Sequence, residues 1–319
     1  MQFDVFNGDA DGVCALHQIR LAYPCESTLV TGPKRDISLL NRVGAGAGDH
    51  VLVLDIALSK NRTALDRLLE NGAAIRYFDH HQPGEIPVHA NFEPHIDTHA
   101  NQCTSLLVNQ FLKGRHLAWA VAAAFGDNLA DAARQAATPL NQSEWQLTKL
   151  KQLGECLNYN GYGETLEDLH FDPAELYRTL GPFADPFAFI AESSVYATLQ
   201  TGYAEDMERV VSITPAEARD AGRIFMLPAE KWARRISGVF GNQLAVDSPG
   251  QAHAVLTARP EGGFVVSVRS PLLQKYGADE LCSQFDTGGG RKGAAGINFL
   301  PESELNRFAT AFYAMFTRS

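Results

Sequence analysis

Gln2-Phe3-Asp4-Val5-Phe6-Asn7-Gly8-Asp9-Ala10-Asp11-Gly12 opens the chain, and its first five residues alternate polar and apolar before Asn7. Val13 to Ala22 then continue with helix-compatible residues, so the segment reads as strand, tight glycine-bearing turn and helix. Three later segments have the same character. Val51-Leu52-Val53-Leu54 closes on Asp55, Ile75-Arg76-Tyr77-Phe78 delivers Asp79-His80-His81, and the run Ala118 to Phe125 leads to Gly126-Asp127-Asn128. Each acidic residue follows an apolar run, so each is expected at the C-terminal end of a buried parallel strand, where open α/β sheets hold their ligands.

Between these segments the chain alternates strand and helix. Thr28-Leu29-Val30-Thr31 reads as a second strand, Ile37 to Val43 as a helix, and Lys60 to Asn71 as a helix closed by Gly72. Gly44-Ala45-Gly46-Ala47-Gly48 is not a dinucleotide fingerprint, because it precedes a strand where that motif must follow one, and it reads as a loop. After a loop holding Pro83, Pro87 and Pro94, Thr104 or Ser105 caps a helix through Phe111. The fold class expected is α/β, with a doubly wound, mostly parallel N-terminal sheet.

Residues 131–225 change character to Ala, Leu, Gln and Glu at helical spacing, with a connecting helical segment from Ile190 to Glu217 broken at Pro215. His253 to Arg259 and Phe264 to Arg269, joined by Pro260-Glu261-Gly262-Gly263, form a hairpin. Thr287-Gly288-Gly289-Gly290-Arg291 follows, and a helix from Glu302 to Phe316 closes the chain. The domains expected are 1–190, a helical linker 191–230, and a smaller α/β domain 231–319.

The chain has 319 residues, 45% of them hydrophobic, which is enough for two domains with cores of their own. Its formal charge of -10 argues against a broad basic surface that coats long nucleic acid. Two divalent cations at the acidic segments would cancel about four of those charges where they gather. Five widely spaced cysteines without a CxxC pair are expected to be reduced and mostly buried. With no signal-like start and no span-length apolar run, the expected compartment is the cytoplasm.

Asp9 and Asp11, two residues apart, can point the same way as the chain leaves a strand, and hard oxygen ligands suit Mg, Mn or Ca. Adding His80 moves the preference toward Mn, since imidazole suits transition ions better. Asp55, from a neighbouring strand, could bridge two such ions at the roughly 3.5 to 4 Å separation of two-metal sites. One motif of this kind is weak evidence; four in succession point to a two-metal hydrolase.

With these motifs the chain resembles the DHH phosphoesterase family, in its subgroup with a DHHA1 C-terminal domain. The resemblance rests on Asp9-x-Asp11-Gly12, Asp55, Asp79-His80-His81, Asp127 and the glycine run from Gly288 to Gly296, and residues 131–225 carry none of it. It implies a site for two Mn2+ ions, with Mg2+ or Co2+ as substitutes, that hydrolyses phosphodiester or phosphoanhydride bonds. It also implies one ion on Asp9 and Asp55, the other on Asp11, Asp55, His80 and Asp127, and His81 facing the scissile phosphate, so that Asp55, His80 and His81 are the catalytic candidates. The mechanism expected is in-line attack by a hydroxide between the ions. Two positions depart from the family. Asn7 stands two before Asp9 where many members have His or Asp, and its neutral amide oxygen is a weaker ligand. Arg291 stands where His usually continues the glycine motif; it suits a phosphate or a guanine O6/N7 edge.

The substrate grip is expected from Arg269, the main chain of Gly288, Gly289 and Gly290, and Arg291, with Lys34-Arg35 read as a solvated pair. Metals on one domain and a grip on the other favour a substrate about two nucleotides long, pGpG slightly ahead of pApA. Longer single-strand exonuclease action, cyclic dinucleotide hydrolysis and a non-catalytic nucleotide sensor are the competing readings. The partners expected are a short nucleotide, no long nucleic acid and no membrane, with a homodimer left open.

Overall fold

The computed structural model describes residues 1–317, which fall into two compact units, Met1–Thr201 and residues 202–317. The first unit runs β1 (Gln2–Phe6), α1 (Ala10–Ala22), β2 (Thr28–Val30), β3 (His50–Leu54), α2 (Leu58–Glu70), β4 (Ala74–Asp79) and β5 (Phe92–Ile96). Helices follow: α3 (Thr104–Phe111), α4 (Leu117–Gly126), α5 (Ala130–Ala136), α6 (Glu144–Gly161), α7 (Pro173–Leu180), α8 (Pro186–Glu192) and α9 (Ser194–Val210), in which the unit boundary falls.

The five strands form one parallel sheet in the order β2-β1-β3-β4-β5. Sequence order reverses between β1 and β3, and such a switch point opens a crevice at the carboxyl ends of the strands. Register supplies the precision. Phe3, Val51 and Ile75 are aligned, as are Val5, Val53 and Tyr77, and these rows pack with Leu65 and Leu68 of α2 in one buried cluster. The last aligned row is Phe6, Leu54 and Phe78, so Asn7, Asp55 and Asp79 emerge side by side one residue later.

Four expectations are corrected by the first unit. Asp127 does not end a strand; it is the C-cap of helix α4. Trp119 to Gly126 are buried on every side, and a short apolar run without polar alternation does not distinguish a buried strand from a buried helix. The Pro-rich loop contains the fifth strand, at the sheet edge where Pro94 need not donate a ladder hydrogen bond. Ile37 to Val43 makes only a short 3-10 turn over Leu39–Arg42. Finally, Thr104 and Ser105 begin α3 without a side-chain cap.

In the second unit β6 (Glu217–Arg219) and β7 (Gly222–Leu227) precede α10 (Lys231–Asp247), β8 (Ala252–Ala258), β9 (Phe264–Arg269), α11 (Ala278–Cys282), β10 (Gly288–Arg291), β11 (Ala294–Leu300) and α12 (Leu305–Phe316). They form a mixed sheet, β10-β11-β9-β8-β7-β6, over a core that includes Leu256, Val266, Val268, Ile297, Phe308 and Phe312. The β8/β9 hairpin is as expected. Helix α9 ends at Val210, ahead of Pro215, and Glu217 lies in a strand rather than at the end of a connecting helix. The glycine run, which carries no strand signal of its own, is a strand paired with β11. The two sheets together give the α/β class expected. Among the described residues no helix is long and apolar enough to cross a membrane, and Cys25 is the exposed cysteine of five free thiols.

The position of Asp127 depends on close helix packing. Gly154 of α6 lies so near α4 that a Cβ there would meet the carbonyl oxygen of Ala122 at 1.9 Å. Gly154→Ala is expected to destabilise the protein by about 1–3 kcal/mol or more in denaturant melts, because backbone cannot yield as a side chain can. A second test concerns His17, buried under Trp119 with its Nε2–H donating to the carbonyl of Phe183 at 2.8 Å. Burial lowers its pKa from 6.5 to about 4. The unfolded chain therefore binds the extra proton first as pH falls, and stability present above pH 6.5 is lost toward pH 4, by on the order of 3 kcal/mol. His17→Phe should flatten that part of a stability-against-pH curve.

Candidate metal centre

The first two acidic groups at the carboxyl end of the sheet are held by main-chain donors. Asp9 is the N-cap of α1: its Oδ1 accepts the N–H groups of Asp11 at 3.0 Å and Gly12 at 3.1 Å. The turn is so tight that a Cβ on Gly12 would meet the carbonyl oxygen of Asn7 at 2.2 Å. Asp11 reaches across to α3, where its two oxygens accept the N–H groups of Thr104 and Ser105, each at 2.7 Å. A carboxylate from another element thus does the work of the missing cap and sits at the positive end of the α3 dipole.

Asp55 has φ 61°, in the left-handed region, which costs a non-glycine residue about 1–3 kcal/mol. Its N–H donates to Phe78 O at 3.0 Å, and its Oδ1 accepts the Thr104 hydroxyl at 3.1 Å, so neighbouring structure holds the strained turn. Asp127 is fixed by a helix stop. Asn128 takes φ 61°, its N–H donates to Phe125 O, and that of Leu129 donates to Ala124 O, a Schellman pair.

His80 Nδ1 lies 2.8 Å from Gln102 O, and since a carbonyl only accepts, Nδ1 carries the proton and Nε2 the lone pair. That Nε2 is 3.4 Å from Asp55 Oδ1 and 3.9 Å from both Asp11 Oδ2 and Asp127 Oδ2. His81 Nδ1 hydrogen-bonds Asp79 Oδ1 at 2.7 Å. Among the described residues two groups of donors come close enough to hold a cation: Asp11, His80 and Asp127, and Asp55, His80 and His81.

The electrostatics call for a cation. Burial pushes Asp11 above the usual carboxylate range, with His80 pulling it down and Asp127 and Asp9 adding to the rise. Burial pushes Asp55 well above that range, and Asp11 and Asp9 push it further. For His81 burial favours the neutral ring, but Asp79 outweighs it and the pKa rises. The oxygen-rich set with one imidazole fits a hard or borderline divalent ion. Asn7, at the strand end next to Asp55, adds a buried Oδ1 with no hydrogen-bond partner among the described residues.

The site brings together Asp11, Asp55, His80, His81 and Asp127, and places Asp9 at its edge in an ion pair with Lys34, whose carbonyl accepts from Asn7. Lys34 is the clearest missed residue: its Nζ lies 2.6 Å from Asp9 Oδ2, where a solvated pair was expected. Burial would lower its pKa, but Asp9, Tyr162 and Asp127 outweigh burial and raise it. Asp79, Gln102 and Thr104, the partners of His81, His80 and Asp55, were also not assigned roles at the site, Thr104 being read only as a helix cap. Only the adjacency of Asp79 to the two histidines signalled one in advance.

The second-unit candidates are placed separately. Arg269 is anchored within its own unit, with Nε donating to Asn242 Oδ1 at 2.6 Å and Nη2 to Gly238 O at 3.2 Å. Arg291 is exposed at the end of β10. The three glycines differ. A Cβ on Gly288 would strike Cys282 O at 1.7 Å and one on Gly290 would strike Ala295, whereas Gly289 has no atom within 4 Å of a Cβ.

No family model and no curated protein sequence matches the chain. Solved structures are similar in fold. RecJ from Thermus thermophilus in complex with Mn2+ matches at TM-score 0.60 and 18% identity, over 100% of this chain and 52% of that one. The chain thus spans about half the length of that RecJ. A pGpG-specific phosphodiesterase, PggH from Vibrio cholerae, matches at TM-score 0.57 and 12% identity over 99% of both chains. An exopolyphosphatase-related protein from Bacteroides fragilis matches at TM-score 0.53 and 14% identity, over 99% of this chain and 91% of that one. The chain has the two-domain α/β fold of these proteins, the fold that the DHH resemblance implies.

Because Thr104 supports Asp55, Thr104→Val is expected to weaken Mn2+ binding by about 10- to 100-fold in a calorimetric titration. Asp11→Asn should abolish binding.

Proposed function

We propose that the chain is a metal-dependent phosphodiesterase that hydrolyses short linear dinucleotides, of pGpG or pApA type, to mononucleotides, with Mn2+ as the preferred ion. The observation that carries this reading is the convergence of Asp11, Asp55, Asp127 and His80 Nε2 at the switch point of a parallel sheet. A divalent ion held by those groups supplies the Lewis acid and the activated water that phosphoester hydrolysis needs.

The chain's own residues then have distinct tasks. Asp11 and Asp55, locked by Thr104 and Ser105, hold their oxygens in place without reorganisation as charge develops. His81, oriented by Asp79, is the group available to hold or move a proton at its Nε2. In the second unit Arg269, Gly288, Gly289, Gly290 and Arg291 are the proposed grip on the nucleotide. Gly289 supports that role, since packing does not require its missing side chain. An exposed Arg291 suits a guanine edge or a phosphate. PggH, a pGpG-specific phosphodiesterase alike in fold over 99% of both chains, is a likeness in keeping with the dinucleotide reading. The net charge of -10 also weighs against a long polyanion.

The test is a hydrolysis panel with Mn2+ comparing pGpG, pApA, a cyclic dinucleotide and labelled oligomers of increasing length. Linear dinucleotides should be cleaved fastest, pGpG ahead, with long oligomers left intact, and Asp55→Ala should reduce turnover to background. Digestion of the long oligomers would establish exonuclease action instead, and equal turnover in wild type and Asp55→Ala would leave only a nucleotide sensor.

A further inference from the structure

We propose that the Lys34 ammonium is a built-in cation at the Asp9 carboxylate, so that the centre binds one divalent ion where the resemblance implies two. The proposal rests on the metal-centre reading above and specifies its stoichiometry.

Three observations carry it. The first is that Asp9 already faces a cation, whereas the oxygens of Asp11 accept main-chain N–H groups. Asp9 Oδ1 accepts the N–H groups of Asp11 and Gly12, and Asp9 Oδ2 lies 2.6 Å from Lys34 Nζ. Asp9 accordingly belongs to neither donor group that comes within ion-holding distance.

The second observation is that the two donor groups, Asp11 with His80 and Asp127, and Asp55 with His80 and His81, share one nitrogen. His80 Nδ1 is committed to the carbonyl of Gln102, leaving Nε2 alone to ligate. One lone pair binds one ion, so His80 can complete only one of the two groups at a time. The neutral Asn7, in place of the family's His or Asp, leaves the Asp9 side without a strong ligand of its own.

The third is that Lys34 is held in place from several sides. Its Nζ donates to Asn158 Oδ1 at 3.1 Å and lies 3.8 Å from Asp127 Oδ1. Its main-chain N–H donates to Gly161 O at 2.8 Å, its carbonyl accepts from Asn7 Nδ2 at 3.4 Å, and its ammonium stands 5.5 Å from the centre of the Tyr162 ring. A flexible four-carbon side chain fastened in this way acts as a fixed point charge. It reaches both Asp9 and Asp127, so it stands where a second cation would otherwise neutralise them.

The experiment counts ions and reads their spectrum. The full chain is stripped with chelator, loaded with Mn2+ and desalted; bound manganese is measured by mass spectrometry and electron paramagnetic resonance. Wild type should hold one Mn2+ per chain with the spectrum of an isolated ion. Lys34→Met should hold two, with the spectrum of a coupled pair. Asp9→Asn, which keeps the helix cap, should retain one ion at near wild-type affinity. Two ions in the wild type would overturn the proposal, as would one ion in both wild type and Lys34→Met, or loss of the ion in Asp9→Asn. Wild type without any bound manganese would remove the metal-centre reading itself, a failure distinct from a wrong count.

Discussion

Mutual repulsion among buried carboxylates is the constraint on which the rest of the first unit depends. Asp9, Asp11, Asp55 and Asp79 are buried at one end of a parallel sheet and the Asp127 side chain lies beside them. Water cannot screen such a group, and like charges a few ångströms apart in a poorly polarisable interior repel strongly. The arrangement persists because each carboxylate has an assigned partner: two helix N-termini, a threonine hydroxyl, a histidine and a lysine. What those partners leave over is a set of oxygens and one nitrogen facing a common point, which is a demand for a cation.

The scaffold meets that demand by rigidity. Aligned strands bring Asn7, Asp55 and Asp79 out in one row, and the left-handed turn at Asp55 re-aims a carboxylate that a regular strand would direct elsewhere. Helix α4 ends where a glycine contact with α6 permits it, and the Schellman stop leaves Asp127 at the cap. Backbone strain and glycine contacts are stability costs, and they fall at the residues that set donor positions.

Where sequence reading succeeded and failed follows from what each signal encodes. The strand at Val51–Leu54, the helix closed by Gly72 and the β8/β9 hairpin are local: apolar period and turn chemistry identify them. The helix carrying Asp127 was read as a strand because its residues are buried all round, so no polar face marks its period. Pro94 concealed an edge strand whose partner, β4, is more than a dozen residues upstream. Gly288 to Gly290 have no side chains to mark a strand, yet Gly288 and Gly290 are glycine because Cys282 and Ala295 occupy the space.

By itself the sequence determined that four acidic segments follow apolar runs, that His80 and His81 accompany one of them, and hence that the donor set is one a divalent ion fits, on an α/β scaffold. Those are statements about side-chain type and periodicity, which a linear chain carries. Only the tertiary structure decided which nitrogen of His80 is available, which helix neutralises Asp11, and that Lys34 rather than open solvent faces Asp9. The reason is that tautomer and pairing depend on groups far apart in sequence, Lys34 with Asn158 and Asp11 with Ser105, whose meeting no local pattern records.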